Sequence, residues 1–489
     1  MSRPPAMRPA ARALALAGAA AVLSGCALGP RYHAPALPPS GQGHFVSAEP
    51  SVYSPQAPPP NWWRLYQDPV LDRLVQQALT ENLDLRAAAA NLSRARGALE
   101  QARAGLFPST DLSLSGIYGK STTQNLIESL NGDPAKPSWF YDGGLDVSYE
   151  VDLFGRIRRT IEAARANAQS VAAAEDLVRV SVAAETARAY ADACAFAESV
   201  DVAKRSADLT QQLYDLTVRG RDLGARSDFD VASAAAVLDE ARAEIPTLEG
   251  EQRTALFELA VLTGRPPEEI SAEAAACHTP PSMSQLMPVG DGGAMIRRRP
   301  DVREAERLLA ADTAQIGVAE ADLFPQVFLT ANAAQGGSSF SQLTASKAFS
   351  WGMGPLITWT FPNILSAKAE VSQARAQASG DIARFDSVML GALKETEEAL
   401  TTYASELRRN GALRAARDDN ARAFELAQVQ LQNGAIGFPD LIQDERNLVQ
   451  AESALASSDQ LLVSDQVSVF KSLGGGWEEA PPVVAPKVR

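Results

Sequence analysis

Two stretches of this chain carry the same pattern, and that repetition restricts the fold more than any other property. Leu106-Phe107-Pro108 recurs as Leu323-Phe324-Pro325, each closing an Ala-rich helical stretch and opening an alternating one. Further on, residues 214–264 overlay residues 424–474 at a constant shift of 210, placing Gly224-Ala225 on Gly434-Ala435, Val231 on Leu441, Leu238 on Leu448 and Gly264 on Gly474. A duplication of this size predicts two structural repeats, each reading as helix, strand pair and long helices. The chain therefore writes four strands. An open four-stranded sheet leaves edge amides and carbonyls unpaired, which hydrocarbon does not tolerate, so several copies must close one barrel if the strands span a membrane.

At 489 residues, with 21% charged and 6% aromatic residues, the composition favours long helices over several compact globules. Arg3, Arg8 and Arg12, the apolar run Ala13 to Val22 and Leu23-Ser24-Gly25-Cys26 form an export signal too short to span a bilayer. Leu-Ser-Gly-Cys resembles the bacterial lipoprotein cleavage box, which implies acylation of Cys26. Ala27, which is not acidic, implies by the same resemblance sorting to the outer membrane. Loss of the three arginines moves the formal charge from -14 to -17, a poor balance for binding nucleic acid. Of the other cysteines, Cys194 sits in an apolar helical stretch and Cys277 in a polar connector, so both are expected unpaired.

The Pro-, Ser- and Gly-rich stretch from Pro30 to Pro60 predicts an extended tether. Asp68-Pro69 announces the first helix, with Leu71, Leu74, Val75 and Leu79 on one face, and a second helix follows Asn82. After each Leu-Phe-Pro the period changes to two. Leu145, Val147, Tyr149 and Val151 alternate with Asp146, Ser148, Glu150 and Asp152, and Ile357, Trp359 and Phe361 alternate with Thr358 and Thr360. An aqueous half-buried sheet gives the same alternation; lengths of about 10 residues with aromatic ends favour outer-membrane strands. Residues 156–222 and 363–432 predict continuous helices of roughly 100 Å. On the last returning helix, Leu441, Leu448, Leu455, Leu462 and Val469 run beside Ile442, Val449, Ala456, Val463 and Phe470, two stripes that suit a helix with two neighbours. Pro246 should bend the first returning helix.

The predicted organisation is a signal peptide over 1–25, a lipidated extended tether over 26–66 and a first repeat over 67–264. Within that repeat, helices cover 67–106, a strand pair about 108–154 and long helices 155–264. A connector over 265–293 leads to a second repeat over 294–474, with a helix at 299–324, strands at about 325–361 and long helices at 363–474; a tail closes at 475–489. The fold class is mostly α with a transmembrane β part. Twelve strands from three chains would close a barrel with a wide lumen, continuous with a helical barrel; eight strands would fill with side chains.

Trp62-Trp63-Arg64-Leu65-Tyr66, Asp68-Pro69-Val70-Leu71, Leu106-Phe107-Pro108, Asp152-Leu153-Phe154-Gly155-Arg156, Arg297-Arg298-Arg299-Pro300-Asp301-Val302-Arg303 and Ile316-Gly317-Val318-Ala319 before Phe324-Pro325 stand in order over nearly the whole mature chain. They resemble the TolC-like outer membrane factors, specifically the NodT-type efflux lipoproteins. That resemblance implies a homotrimeric exit duct in the outer membrane, held also by its acyl chains and extending into the periplasm. It implies docking on a periplasmic membrane-fusion adaptor and an inner-membrane pump, most often of the resistance-nodulation-division class, and passive conduction of small toxic molecules without catalysis or cofactors. Secretion through an ATP-driven pump and a non-conducting coiled-coil scaffold stay open as alternatives.

The same resemblance makes the turns near Gly224, Gly434 and Gly437 the periplasmic entrance and the adaptor contact. Its aperture and tip candidates are Arg226, Asp228, Phe438, Asp440, Gln443 and Asp444; Gln443 stands where the family usually places an acidic residue, flanked here by Asp440 and Asp444. Three copies of one aspartate around an axis would attract cations and slow anions. Ser227 and Asp228, or Asp440, can equally cap the returning helices. His33, His44 and His278 have no partner at a metal-ligand spacing, Gly474-Gly475-Gly476 reads as a helix stop, and Arg297-Arg298-Arg299 reads as structural.

Overall fold

The computed structural model describes residues 27–36, 41, 43–120, 137–283, 285–344, 349–361 and 364–485. Cys26 and most of the loop joining the first strand pair lie outside the described residues. The principal elements are helices α1 (Pro69–Glu81) and α2 (Leu83–Ala104), strands β1 (Ser109–Gly119) and β2 (Ser138–Val151), helices α3 (Arg156–Asp222), α4 (Asp228–Leu262) and α5 (Pro300–Ala321), strands β3 (Gln326–Gly337) and β4 (Phe349–Thr358), and helices α6 (Ile364–Gln432) and α7 (Phe438–Ser472). They fall into two compact units, and neither is a sequence repeat. One takes the segments up to Ala34, Arg94–Gln169 and Glu306–Arg384; the other takes Pro35–Ser93, Ser170–Ala305 and the chain from Phe385 onward.

The first unit is organised by a four-stranded antiparallel sheet in the order β1-β2-β3-β4. Register aligns Leu112 with Leu145, Ala333 and Trp351, and Val147 with Ala331 and Met353. The opposite face aligns Asp111 with Asp146, Asn332 and Gly352. In an aqueous sheet the apolar face would be covered; here Leu112, Trp351 and Met353 are 84%, 70% and 77% exposed. Among the described strands, β1 and β4 each pair on one side only. At the base of the sheet Phe154 stacks on Phe324, their rings 4.7 Å apart, so the two strand-to-helix motifs meet. Asp152 accepts the backbone N–H of Ile157 and Arg158, starting α3. Two strand ends differ from the alternation: β4 stops at Thr358, leaving Trp359 and Phe361 beyond it in mutual ring contact, and β3 continues to Gly337.

The second unit carries the main core. Asp68 accepts from Val70 and Leu71 N–H at 2.7 and 3.1 Å with Pro69 in the first turn, and Asn82 does the same for α2 with Asp84 and Leu85. Trp62 stacks on Phe470 at 4.8 Å. Arg298 donates to Leu473 O and Arg299 to Ser472 O, so the arginine run satisfies the last carbonyls of α7. Helix α4 runs through Pro246 without interruption.

Two expectations are corrected here. The stretch before the first helix is not a free tether: Phe45 and Tyr53 are buried in the core, and Tyr53-Ser54 pairs with Met287-Pro288, because isolated aromatics in a proline-rich segment still gain by burial. Cys194 and Cys277 are not free but form a disulfide, with Cα atoms 4.9 Å apart. The connector returns across α3, bringing into range a partner 83 positions away that no local pattern could indicate.

Candidate functional site

Two helical hairpins, α3 to α4 and α6 to α7, have their turns in the second unit, and the repeat is reproduced in their backbone. Helix α3 ends with Gly224 at φ +71°, Gly224 N–H bonding Arg221 O and Ala225 N–H bonding Gly220 O. Helix α6 ends with Gly434 at φ +71°, and the matching bonds run to Leu431 O and Gln430 O. Each partner lies at the shift of 210. A left-handed residue at this point closes the helix and turns the chain, which glycine does without penalty.

The returning helices begin at equivalent positions. Ser227 is the N-cap of α4: its hydroxyl accepts from Asp230 N–H at 3.2 Å, and Asp230 accepts Ser227 N–H at 2.8 Å. Gly437 is the N-cap of α7, and Asp440 accepts Gly437 N–H at 2.9 Å. Gly437 is extended, at φ -84°, so the reversal rests on Gly224 and Gly434. Asp230, which pairs with Asp440 at the repeat shift, does the work anticipated for Asp228; the overlay itself was the signal that could have found it. Hydrogen bonds from Ser227 backbone and side chain hold the Asp230 carboxyl below the usual range.

The remaining candidates spread around these turns. Arg226 packs its aliphatic stem against Gly220, and Asp228 is exposed in the first turn of α4. Phe438 opens α7. Gln443 is exposed and donates to Asn447 at 3.0 Å, while Asp444 is half-buried one turn past Asp440. A satellite cluster of Leu213, Ala234, Phe424, Ala427 and Leu441 joins the two hairpins. Between α4 and α7 lies a groove of about 420 Å³ lined by Phe229, Asp230, Pro439, Ile442, Gln443 and Arg446. Among the described residues no group of His, Cys, Asp and Glu could hold a metal, and His278 pairs with Asp201 at 2.8 Å.

These geometries assemble turns, caps and an apolar-faced sheet. The sequence pattern of the family described as outer membrane efflux protein matches residues 74–265 and 293–475. The chain belongs to the outer membrane efflux protein family. It is 30% identical over 482 residues to the antibiotic efflux pump outer membrane protein ArpC of Pseudomonas putida, covering 95% of this chain and 96% of that one. It is 29% identical to nodulation protein T of Rhizobium leguminosarum bv. viciae, over 95% and 94% of the two chains. The solved outer-membrane channel OprN superposes with a TM-score of 0.84 at 32% identity, covering 92% of this chain and all of that one. As a member of the family, this chain is an outer-membrane channel of a tripartite efflux pump, mostly α with a transmembrane β part.

Proposed function

We propose that three copies of the chain close a 12-stranded barrel across the outer membrane, continuous with a helical barrel in the periplasm. The observation that supports this reading is a sheet whose outer strands each pair on one side only among the described strands and whose apolar face is exposed: lipid covers the face, and β1 of one copy pairs with β4 of the next. Acyl chains on Cys26 add an anchor in the same membrane. The hairpin tips form the periplasmic entrance, where the groove between α4 and α7 receives a membrane-fusion adaptor, and an inner-membrane pump of the resistance-nodulation-division class delivers the cargo. Asp440 and Asp444 contribute a ring of negative charge there. The cargo class is small toxic organic molecules, in keeping with relatives named for antibiotic and toluene efflux.

Deleting the gene in a host without a functional paralogue should raise sensitivity to such compounds, and a plasmid copy should restore resistance. Unchanged sensitivity to every compound tested would count against efflux.

A further inference from the structure

Glu445 lies on α7 about one and a half turns past Asp440. It is 2% exposed, and its Oε2 has no hydrogen-bonding partner. Its Oε1 lies 2.7 Å from Thr210 Oγ1 on α3, while that hydroxyl also lies 2.8 Å from Ser206 O. One hydroxyl proton cannot serve both acceptors. When Thr210 donates to Ser206, Glu445 must carry its own proton. When Glu445 is ionised its Oε1 accepts the Thr210 hydroxyl hydrogen bond and Oε2 is left as an unmatched buried acceptor. Burial pushes the Glu445 pKa up, against the Thr210 hydrogen bond and the Arg446 charge. The repeat does not require a carboxylate here, since the shift of 210 sets Ala235 at the corresponding position.

The same side chain forms part of the wall of a cleft of about 290 Å³ between α3, α4 and α7. Helix α4 faces it with Glu240 and Glu244, α7 with Arg446, and α3 with the uncharged Ser206 and Thr210. Arg446 reaches Glu240 only at 3.7 Å, so three carboxylates share one guanidinium. Val237 and Val449 supply an aliphatic wall. We infer that this cleft binds a small primary-amine organic cation, its ammonium donating to Glu445 and its short chain lying against the two valines. A bare metal ion leaves the valines unmatched, and an uncharged alcohol can donate one hydrogen bond but leaves the carboxylate charge unbalanced. Binding displaces the Glu445 proton, so affinity falls as acid restores it. The lining residues all belong to one chain, and Val237 and Arg446 also line the neighbouring groove assigned above to the adaptor.

The test is calorimetric titration of the full-length protein in detergent with n-butylammonium, using n-butanol as the uncharged control, at about pH 7.5 and about pH 5. Saturable binding of the amine is expected, weaker by at least about fivefold in Glu445→Gln and in the wild type at the lower pH. Glu240→Gln, whose side chain is 75% exposed and whose loss should not disturb folding, is expected to weaken binding by about twofold. Absence of saturable binding, equal affinity in the wild type and both variants, or equal binding of butanol would each overturn the assignment.

Discussion

Cys194 on α3 is bonded to Cys277 of the connector, closing a loop across 83 positions of the chain. A bond of that span restricts the unfolded chain far more than a local one. Replacing both cysteines by alanine should lower stability by about 2–4 kcal/mol, read as an earlier thermal transition, with reductant moving the wild type towards the variant. Identical melts with and without reductant would show that the bond adds nothing.

Asp312 on α5 and Asp381 on α6 share Gln377, which donates to both at 3.4 and 3.1 Å. Burial, then the hydrogen bond and charge of Asp381, push the Asp312 carboxyl up to about 6. Its folded pKa therefore exceeds the unfolded value, and the folded state keeps a proton that the unfolded chain releases between about pH 4 and 6. Stability from this pair is greatest below that window and falls as pH rises through it. Asp312→Asn should stabilise the protein by about 1 kcal/mol at neutral pH and not at pH 4. A gain of the same size at both pH values would contradict the linkage.

Gly224→Ala and Gly434→Ala place a side chain at φ +71° and should each cost about 1–2 kcal/mol at the tip. Gly437→Ala, extended and meeting only the Asp440 carboxylate at 3.3 Å and Pro439 Cδ at 3.4 Å, should cost less. Hydrogen exchange at the first turn of the returning helices separates the cases; equal loosening by all three would remove the left-handed turn as the cause.

Asp440→Ala removes the acceptor of Gly437 N–H as well as a charge, whereas Asp444→Ala removes a charge and leaves that bond. Both should lower cation preference in planar-bilayer recordings, and only the first should also speed amide exchange at the start of α7. Unchanged selectivity in both variants would exclude these carboxylates from the aperture.

The periodic part of this fold was legible because helix and strand periods are written locally: Asp68-Pro69, the change of period after each Leu-Phe-Pro and the shift of 210 all found their elements. Contacts that depend on a distant partner were not. Cys277 meets Cys194 across 83 positions, and Tyr53 enters the core beside Leu400 across 347, so neither contact is written locally. At the tips, the cap carboxylate is Asp230 rather than Asp228, and its equivalence to Asp440 at the shift of 210 is present in the overlay. Glu445 gave no sequence signal beyond standing opposite an alanine of the other repeat.

One polypeptide makes an unfinished wall. Native mass spectrometry of the acylated protein, extracted in mild detergent, tests it most directly: a particle of three chains is expected. A stable one-chain species, soluble without detergent and with its four strands closed upon themselves, would contradict it.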